Sequence, residues 1–116
     1  MTKEVYYAPP PMSQIHIAEE FAKRIAGKWY YVHEYKKWFF FDGTNWQPDS
    51  NSEIKRLVIA LCRAAIYWPE AASLSLGMKK SICSYRFAGA VLSIASCLRT
   101  VAATSDKLGL PPKRKR

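Results

Sequence analysis

The sequence predicts an α+β domain, in which an N-terminal helix and a small antiparallel, aromatic-rich β-meander precede two or three packed helices. Apolar residues recur at helical spacing in three separate stretches. Between the first two stretches, nine of the eighteen residues from position 29 to position 46 are aromatic, which is typical of strands. The whole chain has 116 residues, a length that fits one domain with one modest core.

The first predicted element is a helix that follows a flexible lead at residues 1–12. Three consecutive prolines end this lead and favour an extended chain. Ser13 can cap a helix that runs to about Ala26 and stops at Gly27. The face predicted to enter the core consists of Ile17, Ala18, Phe21, Ala22 and Ile25.

The aromatic stretch predicts three short strands. Trp29–Val32 and residues 38–41 are rich in aromatic and β-branched side chains, and a short connection at residues 34–37 can join them as a hairpin. Asp42 and Gly43 predict a second turn, because glycine accepts the positive φ that such turns need. Trp46 then lies on a third strand that ends at Pro48.

Two further helices are predicted. Ser52 can cap a helix from Glu53 to about Tyr67, which Pro69 closes. Its expected core face is Ile54, Leu57, Val58, Leu61, Ala65 and Trp68, with Cys62 at the edge. Residues 70–77 are predicted as a connector, either irregular or with a short helical turn. Residues 79–98 are predicted as one long helix. Its expected core stripe is Tyr85, Ala88, Val91, Leu92, Ala95 and Leu98. We expect the folded domain to span residues 13–107 and residues 108–116 to form a disordered basic tail.

The charge balance favours polyanionic partners. The formal charge is +9, and the last four residues supply four of these charges, so the rest of the chain is also basic. The longest uncharged apolar stretch, residues 87–98, is too short to cross a bilayer, and the N-terminus does not resemble a signal peptide. We therefore expect a soluble, cytoplasmic protein without a membrane partner.

Motifs for catalysis and for metal binding are absent from the sequence. Residues 77–81 resemble a nucleotide-binding P-loop only in part, because the first glycine and the spacing are missing. His16 and His33 are the only histidines, and the carboxylates form no metal-binding arrangement. The odd number of cysteines, without a C-x-x-C pair, does not predict a zinc site or a disulfide framework. We expect no enzymatic activity, cofactor, metal or small-molecule ligand.

Nucleic-acid binding is the functional prediction that the residues support. Single strands bind where aromatic faces accept bases and nearby cations hold phosphates. Lys36 and Lys37 stand beside Tyr35 and Trp38 at the predicted hairpin. These two aromatic residues are left open between the core and base stacking, whereas Trp29, Phe40 and Trp46 are assigned to the core. The other candidate phosphate contacts are Lys79, Lys80, Arg86, Lys113, Arg114, Lys115 and Arg116.

The sequence from residue 13 to residue 107 resembles a known family. The resemblance lies in the apolar first helix, the Tyr31-Val32 pair and the hairpin string Asp42-Gly43-Thr44-Asn45-Trp46, followed by helices. It is similar to the N-terminal-like domain of phage and plasmid primase–helicases and of the poxvirus helicase-primase. This resemblance implies a non-catalytic accessory domain that assists DNA engagement or helicase assembly in replication. Its implied partners are single- or double-stranded DNA, bound with low specificity, and a superfamily 3 helicase or primase module.

Two alternatives stay open. The domain can be a protein-interaction module without DNA affinity. It can also be a non-functional, truncated prophage gene product, because residues 108–116 do not resemble the family's continuation towards the helicase.

Overall fold

Four helices and a four-stranded sheet build the chain in the computed structural model, which describes residues 10–111. In chain order these are α1 (Gln14–Ile25), β1 (Trp29–Val32), β2 (Lys37–Phe41), β3 (Trp46–Pro48), α2 (Glu53–Ala65), α3 (Leu76–Ile82), α4 (Tyr85–Ala95) and β4 (Ala102–Ala103). A 3-10 turn, Pro69–Ala71, lies between α2 and α3. The predicted α+β class is confirmed. Most of the expected lead and the basic residues 113–116 lie outside the described residues.

The sheet has the strand order β3-β2-β1-β4. Its first three strands form the predicted antiparallel meander, with Tyr30 paired to Phe39 and Phe41 paired to Trp46. Strand β4 was not predicted. It pairs in parallel with β1, where Ala102 lies opposite Tyr31.

Helix α1 begins and ends as the sequence predicts. The Ser13 hydroxyl accepts a hydrogen bond from the His16 backbone N–H at 3.1 Å, which satisfies one of the free donors at the helix start. Gly27 follows the helix with a φ of 81°. The five residues predicted for the core are all buried: Ile17, Ala18, Phe21, Ala22 and Ile25.

The side chain that caps helix α2 belongs to Asp49 and not to Ser52. The Asp49 carboxylate accepts hydrogen bonds from the backbone N–H groups of Glu53 and Ile54, both at 3.0 Å. Ser52 has a left-handed φ of 61°, and its side chain makes no capping bond. The buried face is also rotated relative to the prediction, because Cys62 is 1% exposed while Leu57 is 38% exposed.

The predicted third long helix is wrong, because α3 and α4 are separate. The hydroxyl of Ser84 accepts a hydrogen bond from the Phe87 N–H at 3.2 Å and starts a new helix there. Serine hydroxyls compete for backbone groups in this way and favour helix starts over helix interiors. Tyr85 consequently lies at the start of α4 and is 67% exposed, instead of joining the core stripe. Within residues 10–111, no helix has the length and apolar character of a membrane span.

The two faces of the sheet pack against different parts of the chain. The inner face contributes Trp29 and Trp38 to the main core, together with the helices. The outer face forms a second cluster, in which Val32 and Phe39 are covered by Leu108. Leu108 is 8% exposed, so packing continues beyond the domain limit expected at Lys107. At the other end, Met12 is also buried, just before the expected limit at Ser13.

Candidate nucleic-acid interface

One side of the sheet carries a set of aromatic side chains that we call the outer aromatic face: Tyr30, Phe39, Phe41 and Trp46. Successive residues of a strand point to opposite faces. The run of aromatic residues in β2 is therefore divided, with Phe40 towards the helices and Phe39 and Phe41 on the other side. Pairing then places Tyr30 beside Phe39 and Trp46 beside Phe41.

The rings of this face form a connected and partly exposed surface. The Trp46 ring lies 5.3 Å from the Tyr30 ring and 5.3 Å from the Phe41 ring, measured between centroids. Phe39 is buried beneath, at 3% exposure, whereas Phe41 is 47% exposed. Tyr30 and Trp46 are half-buried. Phe41 therefore offers the most accessible ring for an incoming planar group, and Trp46 supports it.

Cations border the outer aromatic face. The Lys107 ammonium lies 4.5 Å from the centroid of the Tyr30 ring, a cation–π contact. Lys37 is exposed and pairs with Val32 on the same face, about 13 Å along β2 from Phe41 at the usual strand rise. Lys36 is exposed in the hairpin turn with a φ of 53°. Neither hairpin lysine makes an ion pair with another described residue.

Two carboxylates near this face are already used by the fold. Asp42 accepts hydrogen bonds from the backbone N–H groups of Asn45 and Thr44, at 2.7 and 2.8 Å, and these bonds lower the pKa of Asp42. The turn that they fix sets Phe41 beside Trp46. Glu34 accepts hydrogen bonds from Ser105, which lower the pKa of Glu34 in the same way. Both groups therefore stay ionised near neutral pH and hold turns.

The structure separates the two aromatic residues that the sequence left open. Trp38 points into the main core, is 7% exposed and packs against Tyr31. This burial leaves little of the Trp38 ring accessible to a base, so the structure does not support Trp38 as a base-stacking residue. Tyr35 is half-buried, with its ring edge-on to Phe39, and its hydroxyl donates a hydrogen bond to the Pro111 carbonyl. Tyr35 holds the C-terminal segment against the hairpin.

The remaining sequence candidates lie elsewhere. Lys79 and Lys80 belong to α3 and Arg86 to α4, within the helical layer on the inner side of the sheet. The structure does not bring them to the hairpin lysines. In the same layer, the Lys55 ammonium lies 4.2 Å from the centroid of the Tyr85 ring. The four basic residues Lys113, Arg114, Lys115 and Arg116 lie outside the described residues.

Sequence reasoning missed the residues that form the most accessible part of this interface. It assigned Trp46 to the core and did not single out Phe41 or Lys107. Strand alternation predicts that Phe39 and Phe41 share a face, but only the packing of the helices shows which face they cover. No local signal marks Lys107, because its position depends on the return of the chain to Tyr30.

In the described part of the chain, the titratable groups do not converge into a metal site. Among residues 10–111, no three His, Cys, Asp or Glu side chains come together as ligands. Burial, with a smaller contribution from Cys83, raises the pKa of the Cys62 thiol to about 11. This cysteine therefore stays protonated and acts as a small apolar core residue.

Fold and site together define a small α+β domain with an exposed aromatic sheet face bordered by cations. The family model described as D5 N terminal like matches residues 18–113. The chain belongs to this D5 N-terminal-like family, a phage- and plasmid-type domain associated with primase–helicases, which confirms the resemblance. No curated protein and no solved structure matches the chain.

Proposed function

We propose that the chain is a non-catalytic accessory domain of a phage or plasmid primase–helicase, and that its outer aromatic face engages single-stranded DNA during replication. One observation carries the proposal: the exposed Phe41 ring, supported by Trp46, lies on the same sheet face as Lys37 and Lys107. Membership of the D5 N-terminal-like family supports the setting in replication.

Stacking on Phe41 accounts for a preference for single strands. Every base has an aromatic face, and stacking on a protein ring contributes about 1–3 kcal/mol per base regardless of sequence. In a duplex those faces are already stacked on neighbouring bases. Lys36, Lys37 and Lys107 are then placed to contact phosphates, which adds affinity without sequence preference.

The non-catalytic part of the proposal rests on the sequence. Residues 77–81 lack the glycine and the spacing that wrap a nucleotide phosphate. We place the domain in the cytoplasm, where DNA and the replication machinery of a phage or plasmid are found.

The test is fluorescence-anisotropy titration of labelled single- and double-stranded oligonucleotides, from low to physiological salt. It uses the full chain and a variant without residues 113–116. We expect the full chain to bind the single strand more tightly than the duplex, with a steep dependence on salt. The variant without residues 113–116 should retain most of the preference for the single strand. Equal binding of duplex and single strand contradicts a role for the outer aromatic face. So does a complete loss of binding when residues 113–116 are deleted. Complete absence of binding favours the protein-interaction alternative.

A further inference from the structure

A second surface, separate from the outer aromatic face, lies between α1 and α2. It is an open groove with a volume of about 420 Å³, which we call the α1–α2 groove. Its floor consists of Phe21, Ile25 and Leu61, and its α2 wall of Leu57, Ala60 and Ala64. Trp29, the first residue of β1, also lines the groove.

The α2 wall of this groove is apolar and uncovered. Leu57 follows the helical spacing of the buried residues, yet it is 38% exposed. Ala60 and Ala64 are exposed on the same side, three and seven residues further along the helix. Their small side chains let another helix approach closely. An apolar stripe of this length on a helix is normally covered by a packed neighbour.

The borders of the groove are cationic. Arg24 and Lys28 line it on the α1 side, and no Asp or Glu is among its lining residues in the described part of the chain. Arg24 Nε forms an ion pair with Glu20 Oε1 at 3.3 Å. Lys28 has no ion pair among residues 10–111, and neither does the exposed Arg63, which follows Ala60 by three residues on the solvent side of α2.

We propose that the α1–α2 groove docks an amphipathic helix of a partner protein, with an apolar stripe and acidic flanking residues. The apolar stripe would fill the groove, and the carboxylates would meet Arg24, Lys28 and Arg63. Helices commonly bind in this way along the seam of two others. Charge complementarity selects the occupant, because a second copy carries the same net charge of +9. A nucleic acid is disfavoured because the two aromatic residues of the groove, Phe21 and Trp29, are buried and offer no exposed ring to a base.

This inference is independent of the proposed DNA binding. The groove is built by helices on the inner side of the sheet, whereas the outer aromatic face lies on the other side. Either site can therefore fail its test without affecting the other, and both can be occupied together.

The probe for the test is a designed, fluorescein-labelled helical peptide with leucines on one face and glutamates beside them. A matched peptide carries lysines in place of the glutamates. We expect the acidic peptide to bind the full chain at least about tenfold more tightly than the basic one. In ¹⁵N-labelled protein, the amide shifts caused by the acidic peptide should concentrate at Ala60, Ala64 and their neighbours.

Two variants of the chain test the same surface from different directions. Leu57→Lys places a charge in the groove, and the double variant K28E/R63E reverses the charge of its borders. Both should weaken binding of the acidic peptide by about tenfold or more, and Leu57→Lys should leave oligonucleotide binding unchanged. Leu76→Lys, at a 69% exposed position on α3, is the matched control and should have no effect. Thermal melts followed by circular dichroism verify that each variant is folded.

Three results overturn the inference. The first is equal affinity for the acidic and basic peptides. The second is amide shifts that map to the outer aromatic face. The third is a wild-type dimer in sedimentation that Leu57→Lys dissociates, because a second copy is then the occupant.

Discussion

The Glu34 carboxylate binds Ser105, 71 residues further along the chain, and accepts hydrogen bonds from both its backbone N–H and its hydroxyl at 2.9 Å. Ser105 is 2% exposed, and it is the one buried polar residue among the described positions. The contact fastens the segment after β4 to the β1–β2 hairpin. Because these bonds favour the ionised carboxylate, they lower the pKa of Glu34 below its ordinary value of 4.5.

The first prediction is a loss of stability on acidification that depends on Glu34. A carboxyl group with a lowered folded-state pKa stabilises the fold above its unfolded-state pKa, and this contribution disappears as the pH falls through the folded-state value. Urea unfolding of the wild type and of Glu34→Gln should therefore differ most at neutral pH, and the difference should shrink below about pH 4.5. Asp42 titrates in both proteins and cancels in the comparison. A difference that stays constant from pH 7 to pH 3 would contradict this account.

The second prediction concerns base stacking on the outer aromatic face. Phe41→Ala should weaken single-strand binding by roughly 5- to 150-fold, since stacking contributes about 1–3 kcal/mol per base. Binding of the duplex should change much less. Tyr67→Ala is the control, because Tyr67 is an 84% exposed aromatic residue beyond the end of α2. If both variants lose the same affinity in anisotropy titrations, Phe41 has no special role.

The third prediction concerns the binding of phosphates at the hairpin. Replacing Lys36 and Lys37 by alanine should weaken binding to all sequences alike. It should also reduce the slope of log K against log salt by about 1.4, or ~0.7 for each phosphate that a lysine no longer neutralises. The control pair, Lys23 and Arg99, removes the same charge next to a separate cavity beside α1. Equal slopes for the two double variants would show a general charge effect.

The fourth prediction distinguishes the two residues that could cap α2. Asp49→Ala should lower the free energy of unfolding by about 1 kcal/mol, because two backbone N–H groups lose their acceptor. Ser52→Ala should change the free energy of unfolding by no more than about 0.5 kcal/mol, since the Ser52 side chain makes no capping bond. Serine and alanine both carry a Cβ, so the positive φ at position 52 disfavours them to a similar extent. Urea unfolding measures both variants, and the reverse order would restore Ser52 as the cap.

The fifth prediction tests whether the fold needs residues beyond position 107. Leu108→Ala should destabilise the domain by about 2 kcal/mol or more, because Leu108 covers Val32 and Phe39. The same substitution at exposed Leu76 should cost less than about 0.5 kcal/mol. A neutral Leu108→Ala variant in urea unfolding would place the boundary of the stable domain back at Lys107.

The parts of the fold that depend on local signals could be predicted from the sequence. Ser13 and Gly27 determine the limits of α1 through contacts within a few residues. The observed buried face of α2 is rotated about the helix axis relative to the predicted one. Periodicity indicates an apolar stripe, but it does not show which border of the stripe a neighbouring element covers. Leu57 and Cys62 exchanged roles for this reason. Strand β4 consists of two alanines whose pairing with Tyr31 and Val32 depends on the distant return of the chain.

The candidate site was located only in part. The basic and aromatic residues 35–38 indicate the hairpin as a candidate site, and nucleic-acid binding there stays a prediction. Yet Trp38 alternates into the core, and the exposed ring belongs to Phe41 at the other end of the strand. The helices pack on one face of the sheet, and this packing determines which aromatic residues are exposed to solvent. The sequence pattern of the strand alone does not show which face the helices cover.

The parallel pairing of β4 with β1 has a consequence for the order in which the domain matures during synthesis. The β1–β2 hairpin involves neighbouring residues and can form within microseconds. Its partner strand, Ala102–Ala103, leaves the ribosome only after the intervening helices, several seconds later at about 5–20 residues per second. Until Leu108 follows, Val32 and Phe39 of the nascent chain remain uncovered. The sheet thus begins to form early in the synthesis of the domain and is completed only after the helices that follow the hairpin have been made.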